Sequence, residues 1–291
     1  MLQKIFYLWN NLYRMNSIIK KTGKILIIIT LVSPIHGEPA LSDWVAGKIM
    51  VSEQSSIITD NNGNPLDIET GSVISIAEAG TRAFGRAKDA AFISAVNILK
   101  KMRIDNETTL HELIGNDEIV RQRFSVFLDS KVKYKEVYLD YLTRGINLEI
   151  KTGDLLRVIN YEFPQREFPL RNDMNISTLY TSLVIDARGL NIKPMLLPVI
   201  YNENGLEVYS KDFISADEAV KHNAVAYVYN EKDGIRHKKA GKRPYFCVAL
   251  KSLNGSPVIS DDDIKRVFSD KKNLDYLRKC RVVFILDRYV E

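Results

Sequence analysis

The stretch AEAGTRAFGRAKDAAFISAVNILKKMR, residues 77–103, decides the fold of the first half of the chain. Its apolar side chains recur at intervals of three and four residues, which predicts one long amphipathic helix. Seven alanines lie along it, at positions 77, 79, 83, 87, 90, 91 and 95. Small side chains at this spacing let a helix lie close to a sheet or a second helix, so we assign these alanines to core packing.

Runs of apolar residues on both sides of this helix predict strands. Trp44–Val51 is strand-like, and the polar turn Asp60–Pro65 follows it, rich in residues that favour chain reversal. In Ile146–Ile150 the apolar residues alternate strictly, so one face of that strand should be buried and the other should meet water. Two further strands are expected at residues 132–142 and 155–159.

These elements define the predicted boundaries of the first unit. Residues 38–160 are expected to form an α+β domain in which the helix packs on an antiparallel sheet. Residues 161–177 are expected to be a linker, because Pro164 and Pro169 exclude a regular helix or a central strand there. Proteolysis should therefore cut this segment first.

The remaining residues, 178–291, predict a second, β-rich α+β unit. The dipeptide Asn204-Gly205 is a strong hairpin signal between two short apolar runs. One helix is expected near residues 260–279, where Ser260 has N-cap spacing to Asp263. Other strands are expected at residues 178–186, 224–229, 245–253 and 281–287.

The N-terminal segment has the features of an export signal. Lysines precede the apolar run Ile25–Val32, and a small residue, Gly37, follows it. Eight residues are far fewer than the roughly 20 that a membrane-spanning helix needs, so no transmembrane span is expected. Residues 1–37 are predicted to be a cleaved signal peptide, starting at Met1 or Met15, and the protein is expected in the periplasm.

The charge distribution bears on the class of partner. Residues 1–37 hold five basic side chains and no acidic one, so residues 38–291 hold 36 of each sign. A neutral mature chain has no electrostatic footprint for DNA or RNA, which argues against a nucleic-acid partner.

No constellation of catalytic residues is visible. Three histidines follow the signal segment, His111, His222 and His237, and each is isolated in sequence. The chain has no nucleophile elbow, zinc-protease helix motif or phosphate-binding glycine loop. We therefore predict no catalytic residue, no cofactor and no metal, and a protein that is not an enzyme.

Two acidic motifs resemble metal sites but have simpler interpretations. In Asp60-x-Asn62-x-Asn64 the glycine does not fall at the position that a calcium loop requires and no glutamate follows at the right distance, so a turn is expected. The acidic run 261–263 after Ser260 suits the positive end of a helix.

One basic segment and two cysteines complete the candidate residues. The interaction patch that we predict consists of His237, Lys238, Lys239, Lys242 and Arg243, in a loop between two strands. An oxidising compartment permits a disulfide between Cys247 and Cys280, and two separate buried thiols are the alternative that we favour.

Three parts of the sequence resemble a known family. Residues 79–99, after the strand that begins Trp44-Val-Ala-Gly-Lys, resemble the helix of FlgT/FlgP-type flagellar assembly proteins, also called the lipoprotein-20-like family. Residues 179–190 and the ending, 258–264 with 277–287, resemble segments that follow this domain in such envelope proteins. The lipid-bearing cysteine of the lipoprotein members is missing here.

The resemblance implies an envelope protein of the periplasm or outer membrane, in a family with members that build rings around the flagellar motor. The family is not defined by catalytic residues or cofactors, so the resemblance implies none for this chain. The expected function is a non-catalytic structural or assembly component, which contacts envelope or flagellar motor proteins and self-associates. The alternative is a periplasmic adaptor module that binds a ligand or the cell wall.

Overall fold

The computed structural model describes residues 41–168 and 178–288. The predicted signal peptide and both candidate start sites lie outside these residues. The first unit contains β1 (Leu41–Asp43), β2 (Lys48–Ser56), α1 (Ile76–Lys101), α2 (Leu110–Asn116), α3 (Glu118–Ser130), β3 (Lys133–Tyr138), β4 (Thr143–Lys151) and a 3₁₀ helix (Thr152–Arg157).

The first unit is one long helix on a four-stranded antiparallel sheet. The strand order is β1-β2-β4-β3, so β3 is an edge strand. Ser75 is the N-cap of helix α1, and its side chain accepts a hydrogen bond from the Glu78 amide. The alanines 79, 83, 87, 91 and 95 form its buried stripe. Their small size brings the helix close to the sheet, which confirms the packing role predicted for them.

Burial in β4 alternates as predicted. Ile146, Leu148 and Ile150 face α1 and are buried, whereas Asn147 is exposed. The predicted strand at 44–51 is displaced, because Trp44 lies in the turn between β1 and β2. The predicted strand at 155–159 is wrong, since a 3₁₀ helix occupies the start of that run. A short run of consecutive apolar residues fits a buried helical turn as well as a buried strand.

The second unit contains two four-stranded sheets and four helices among the residues described. The elements are β5 (Ser182–Asp186), β6 (Ile200–Tyr201), β7 (Glu207–Tyr209), α4 (Ala216–His222), β8 (Ala226–Val228), α5 (Glu231–Arg236), β9 (Pro244–Val248), β10 (Lys251–Leu253), β11 (Ser256–Val258), α6 (Asp261–Val267), α7 (Lys271–Arg278) and β12 (Val282–Ile285). Strands β6 and β7 pair as the predicted hairpin around Asn204-Gly205.

The central sheet of the second unit is parallel, in the order β8-β12-β5-β9. Its strands are buried on both faces: Phe284 belongs to one apolar cluster and its neighbour Ile285 to another. Helix α5 covers the second face, where Gly234 lies against Ile285. Parallel strands are typically enclosed in this way, which explains their continuous apolar runs.

The single helix predicted near residues 260–279 is in fact two. Helix α6 ends at Val267, and Asp270 caps a new helix by accepting a hydrogen bond from the Lys272 amide. A polar residue that bonds to the backbone favours a new helix start over continuation. Helices α4 and α5 were not predicted. The overall class, a helix-plus-antiparallel-sheet region followed by a β-rich α+β region, is confirmed.

The two units share one apolar core. Trp44 lies edge-to-face with Tyr227, with 5.7 Å between ring centroids. The Leu197 amide donates to the Ile104 carbonyl at 2.8 Å, which joins the units through the backbone. Within the predicted linker, Phe168 is buried and stacks on Phe213, while residues 169–177 lie outside the described part. The predicted order of cleavage remains a prediction.

No helix among the described residues has the length and apolar character needed to cross a membrane.

Candidate functional site

The predicted basic patch is divided between the surface and the interior. Lys238, Lys242 and Arg243 are exposed, and His237 is half-buried. Lys239 retains only 6% of its accessible surface. A run of charged residues in a loop is normally solvated, and the burial of Lys239 departs from that expectation. Helix α5 occupies the beginning of that loop and directs the chain back towards the sheet.

Lys239 is held inward by the residue that follows it. The Ala240 carbonyl accepts hydrogen bonds from the hydroxyls of Thr181, at 2.6 Å, and Ser182, at 2.7 Å. These bonds fix the segment to the start of β5. The Lys239 ammonium then donates to the Asn223 carbonyl at 2.8 Å, because a buried charge requires a polar partner.

The structure brings Lys238 and Lys239 into a cleft that the sequence did not reveal. The cleft has a volume of about 230 Å³ and is lined by six charged or titratable side chains: Glu218, His222, Lys238, Lys239, Lys279 and Arg281. All of them precede strands of the parallel sheet, so the cleft lies at the amino ends of those strands. Lys242 and Arg243 do not line it.

The turn between α7 and β12 shapes one wall of the cleft. Cys280 has a φ of +59°, a left-handed conformation that reverses the chain between Lys279 and Arg281. Both cationic side chains therefore reach the cleft from a short segment. Arg281 also lies against the Tyr276 ring, with its guanidinium carbon 5.3 Å from the centroid.

The cleft carries an excess of positive charge. Lys238, Lys279 and Arg281 carry positive formal charges, and among the described residues Glu218 is the one carboxylate in the lining. Glu218 lies 3.8 Å from the His222 imidazole. The pKa of Lys239 is lowered to about 7, mainly by burial; Cys280 opposes this shift and Lys238 adds to it. Burial and the same two lysines lower the pKa of His237.

The two cysteines are buried and unbonded. Cys247 lies in β9, and Cys280 precedes β12, with β5 between those strands. Two strand spacings of about 4.8 Å exceed the reach of a disulfide. Burial raises the pKa of the Cys280 thiol to about 11. A thiol that stays protonated is a poor nucleophile and a poor ligand.

The acidic motifs have the structural roles predicted for them. One Asp60 carboxylate oxygen accepts hydrogen bonds from the backbone amides of Asn62 and Asn64, which closes a turn. Ser260 caps α6 by accepting from the Asp263 amide at 3.0 Å. In residues 41–168 and 178–288, no three His, Cys, Asp or Glu side chains are grouped closely enough to hold a metal ion.

A second surface was also missed from the sequence, at the open edge of the N-terminal sheet. Strand β3 and the turn after it expose five large apolar side chains within nine residues: Tyr134, Tyr138, Leu139, Tyr141 and Leu142. Of these, Tyr141 is 73% exposed. Exposed apolar patches of this kind mark interaction surfaces. The closely spaced tyrosines of this region are the sequence feature from which the surface could have been predicted.

Comparison with protein families gives one match. Residues 182–288, most of the second unit, match the family described as Treponema pallidum Tp0624, second domain. The match does not reach α1, on which the resemblance to FlgT/FlgP-type proteins mainly rests. It relates the second unit to a domain of a Treponema protein and does not confirm the FlgT/FlgP family. No curated protein matches the chain.

Proposed function

We propose that this protein is a non-catalytic component of the bacterial cell envelope that works by docking onto a partner protein. The observation that carries the proposal is the open edge of β3 with its exposed aromatic side chains. An edge strand presents unpaired backbone donors and acceptors to another chain, and tyrosines are enriched where proteins meet.

The side chains of β3 favour a different protein over a second copy as the partner at this edge. When two identical strands pair antiparallel about a twofold axis, the residue at the axis lies opposite its own copy, because hydrogen-bonding direction alternates along the strand. At the centre of β3 that residue is Lys135 or Glu136. Like charges directly opposite each other are destabilising. Self-association would therefore use another surface.

The predicted export signal and the FlgT/FlgP resemblance extend the proposal to a location. The arrangement of α1 on an antiparallel sheet is the one that the resemblance implies for residues 38–160. We propose a periplasmic protein, associated with the periphery of the flagellar motor. The partner would then be an envelope or motor protein.

Removing the exposed apolar side chains tests the docking surface. Tyr141→Ser combined with Leu142→Ser should leave the fold intact and reduce partner recovery from envelope extracts by about tenfold, since a few exposed aromatic anchors dominate such contacts. Val126→Ser is the matched control, because Val126 is 65% exposed and belongs to α3, not to β3 or the turn after it. Recovery is measured by quantitative mass spectrometry of tagged, cross-linked protein. Equal recovery with the double variant would refute docking at this edge.

A second candidate function is a periplasmic adaptor that binds a ligand or the cell wall. The cationic cleft of the second unit favours it. The cleft is separate from the β3 edge, so the two functions can be tested independently with the same protein.

A further inference from the structure

The charges around the cleft require a counterion of opposite sign. Lys238 and Lys279 have no side-chain ion pair within the described part of the chain. In the described part of the lining, three side chains of positive formal charge (Lys238, Lys279 and Arg281) face one carboxylate, Glu218, which leaves about two positive charges unbalanced. A ligand carrying two negative charges would balance them, whereas a single carboxylate would not.

The buried lysine makes the cleft a built site instead of a patch of surface lysines. Within the described residues, the Lys239 ammonium has one hydrogen-bond acceptor, the Asn223 carbonyl. An ammonium has three donors, so two remain for a group in the cleft. Its position is fixed by the bonds from Thr181 and Ser182 to Ala240. Such a pre-positioned donor is what specific anion binding needs.

The size of the cleft limits the ligand. Its volume of about 230 Å³ lies below the roughly 300–1,000 Å³ of sites for drug-sized molecules. A tetrahedral oxyanion with a small substituent fits this space. Its oxygens can accept from the Arg281 guanidinium and from the lysine ammonium groups, which are the usual partners of phosphate.

We propose that the cleft binds a phosphate-type dianion, either inorganic phosphate or a small phosphomonoester, between Lys238, Lys239, Lys279 and Arg281. The site is independent of the docking edge at β3. Lys239 supplies the deep contact, and the exposed cations supply the outer ones.

Calorimetric titration of the purified protein tests the site. Inorganic phosphate, glycerol 3-phosphate and sulfate should each bind saturably at constant ionic strength, and acetate should not. The stronger of the two phosphate ligands tells whether the cleft takes the free ion or an ester. Lys279→Gln combined with Arg281→Gln, which changes side chains at the rim, should weaken binding by about tenfold or more, because charge-assisted hydrogen bonds are lost.

Lys242→Gln is the matched control, since Lys242 is an exposed lysine of the same segment that does not line the cleft. It should bind phosphate as the unaltered protein does. An equal loss with Lys242→Gln, no saturable binding, or equal binding of acetate would overturn the proposal.

A second measurement tests the deep contact without replacing Lys239, and it is made on the His222→Gln protein because His222 is a second titratable side chain of the lining. Sulfate, which does not titrate near neutral pH, should cause uptake of a proton when it binds at pH 7.5. An anion beside Lys239 favours its charged form and raises its pKa from about 7. The uptake appears as a dependence of the binding enthalpy on the ionisation enthalpy of the buffer. Binding of sulfate without proton uptake would exclude Lys239 from the site.

Discussion

The N-terminal sheet and the parallel sheet of the second unit, here called the C-terminal sheet, enclose their strands in different ways. In the N-terminal sheet, β4 buries alternate side chains against α1 and leaves the others, such as Asn147, in water. In the C-terminal sheet, all four residues of β12 are buried. A sheet covered on one side can offer a face and an edge to a partner, whereas a sheet covered on both sides offers only the ends of its strands. The two candidate surfaces differ in the same way: one is the open edge of β3 in the N-terminal sheet, and the other is the cleft at the amino ends of the parallel strands.

The largest predicted changes in the free energy of unfolding come from alanine substitutions of neighbouring residues in the two sheets. Phe284→Ala and Ile285→Ala should each destabilise the protein by about 2–5 kcal/mol, since both fill the core on opposite faces. In β4, Ile146→Ala should cost a similar amount, and Asn147→Ala should change the free energy of unfolding by less than about 0.5 kcal/mol. Denaturant unfolding measures the change in free energy of unfolding for all four variants. A neutral Ile285→Ala would show that the second face is not packed.

A smaller effect should appear where the two units meet. A side chain at Gly153, in the 3₁₀ helix, would overlap the Val220 carbonyl oxygen of α4. Gly153→Ala should therefore destabilise the protein by about 1–3 kcal/mol. Gly85→Ala in α1 is the control, because its side chain would meet open space and should stabilise the helix by up to about 1 kcal/mol. Thermal unfolding distinguishes the two; equal effects would mean that the units do not contact through this helix.

The buried lysine predicts how stability varies with pH. Its pKa is about 7 in the folded protein, below its ordinary value of 10.5. The unfolded chain binds more protons between these values, so the Lys239 contribution makes stability rise with pH from about 7 upwards, by at most about 1.4 kcal/mol per pH unit. Below pH 7 both states are protonated and the burial penalty is constant.

Lys239→Met should remove this rise between about pH 7 and 8.5, before the unfolded-state cysteines titrate. The difference in unfolding free energy between the two proteins, measured at several pH values, isolates the lysine. A difference that does not vary with pH would contradict the low pKa.

The smallest effect should follow charge reversal outside the cleft. Lys242→Glu combined with Arg243→Glu should change stability by less than about 0.5 kcal/mol, since both side chains are exposed. Lys239→Glu should be severely destabilising, because it places a carboxylate against the Asn223 carbonyl. Unfolding measurements that gave similar values for the two proteins would show that this segment is solvated throughout, as the sequence alone predicts.

Local signals in the sequence predicted much of the fold. The cap at Ser260 is formed as expected, because it depends on residues three positions apart. The alanine stripe of α1 was also readable, since its period is that of a helix. These features need no knowledge of distant parts of the chain.

The cleft could not be predicted, because it depends on contacts between distant residues. Lys239 looks like any other lysine of a basic segment, and its burial follows from bonds between Ala240 and the start of β5. Lys279 and Arg281 lie about 40 positions further on and reach the cleft through the turn at Cys280. The strand prediction at residues 155–159 was wrong for a related reason. A segment that is buried on all sides shows neither the helical nor the strand period of apolar residues.

Asn223 illustrates how strongly the geometry restricts substitution. Its φ of +63° and ψ of 157° lie in a region of backbone conformation that is populated almost only by glycine. Its side-chain oxygen accepts from the Thr152 hydroxyl at 3.2 Å, which glycine could not do, and its carbonyl holds the buried lysine. An aspartate would add a carboxylate at a contact between the units. In an evolving lineage this position should therefore vary little while Lys239 is retained, and the two residues should be lost together.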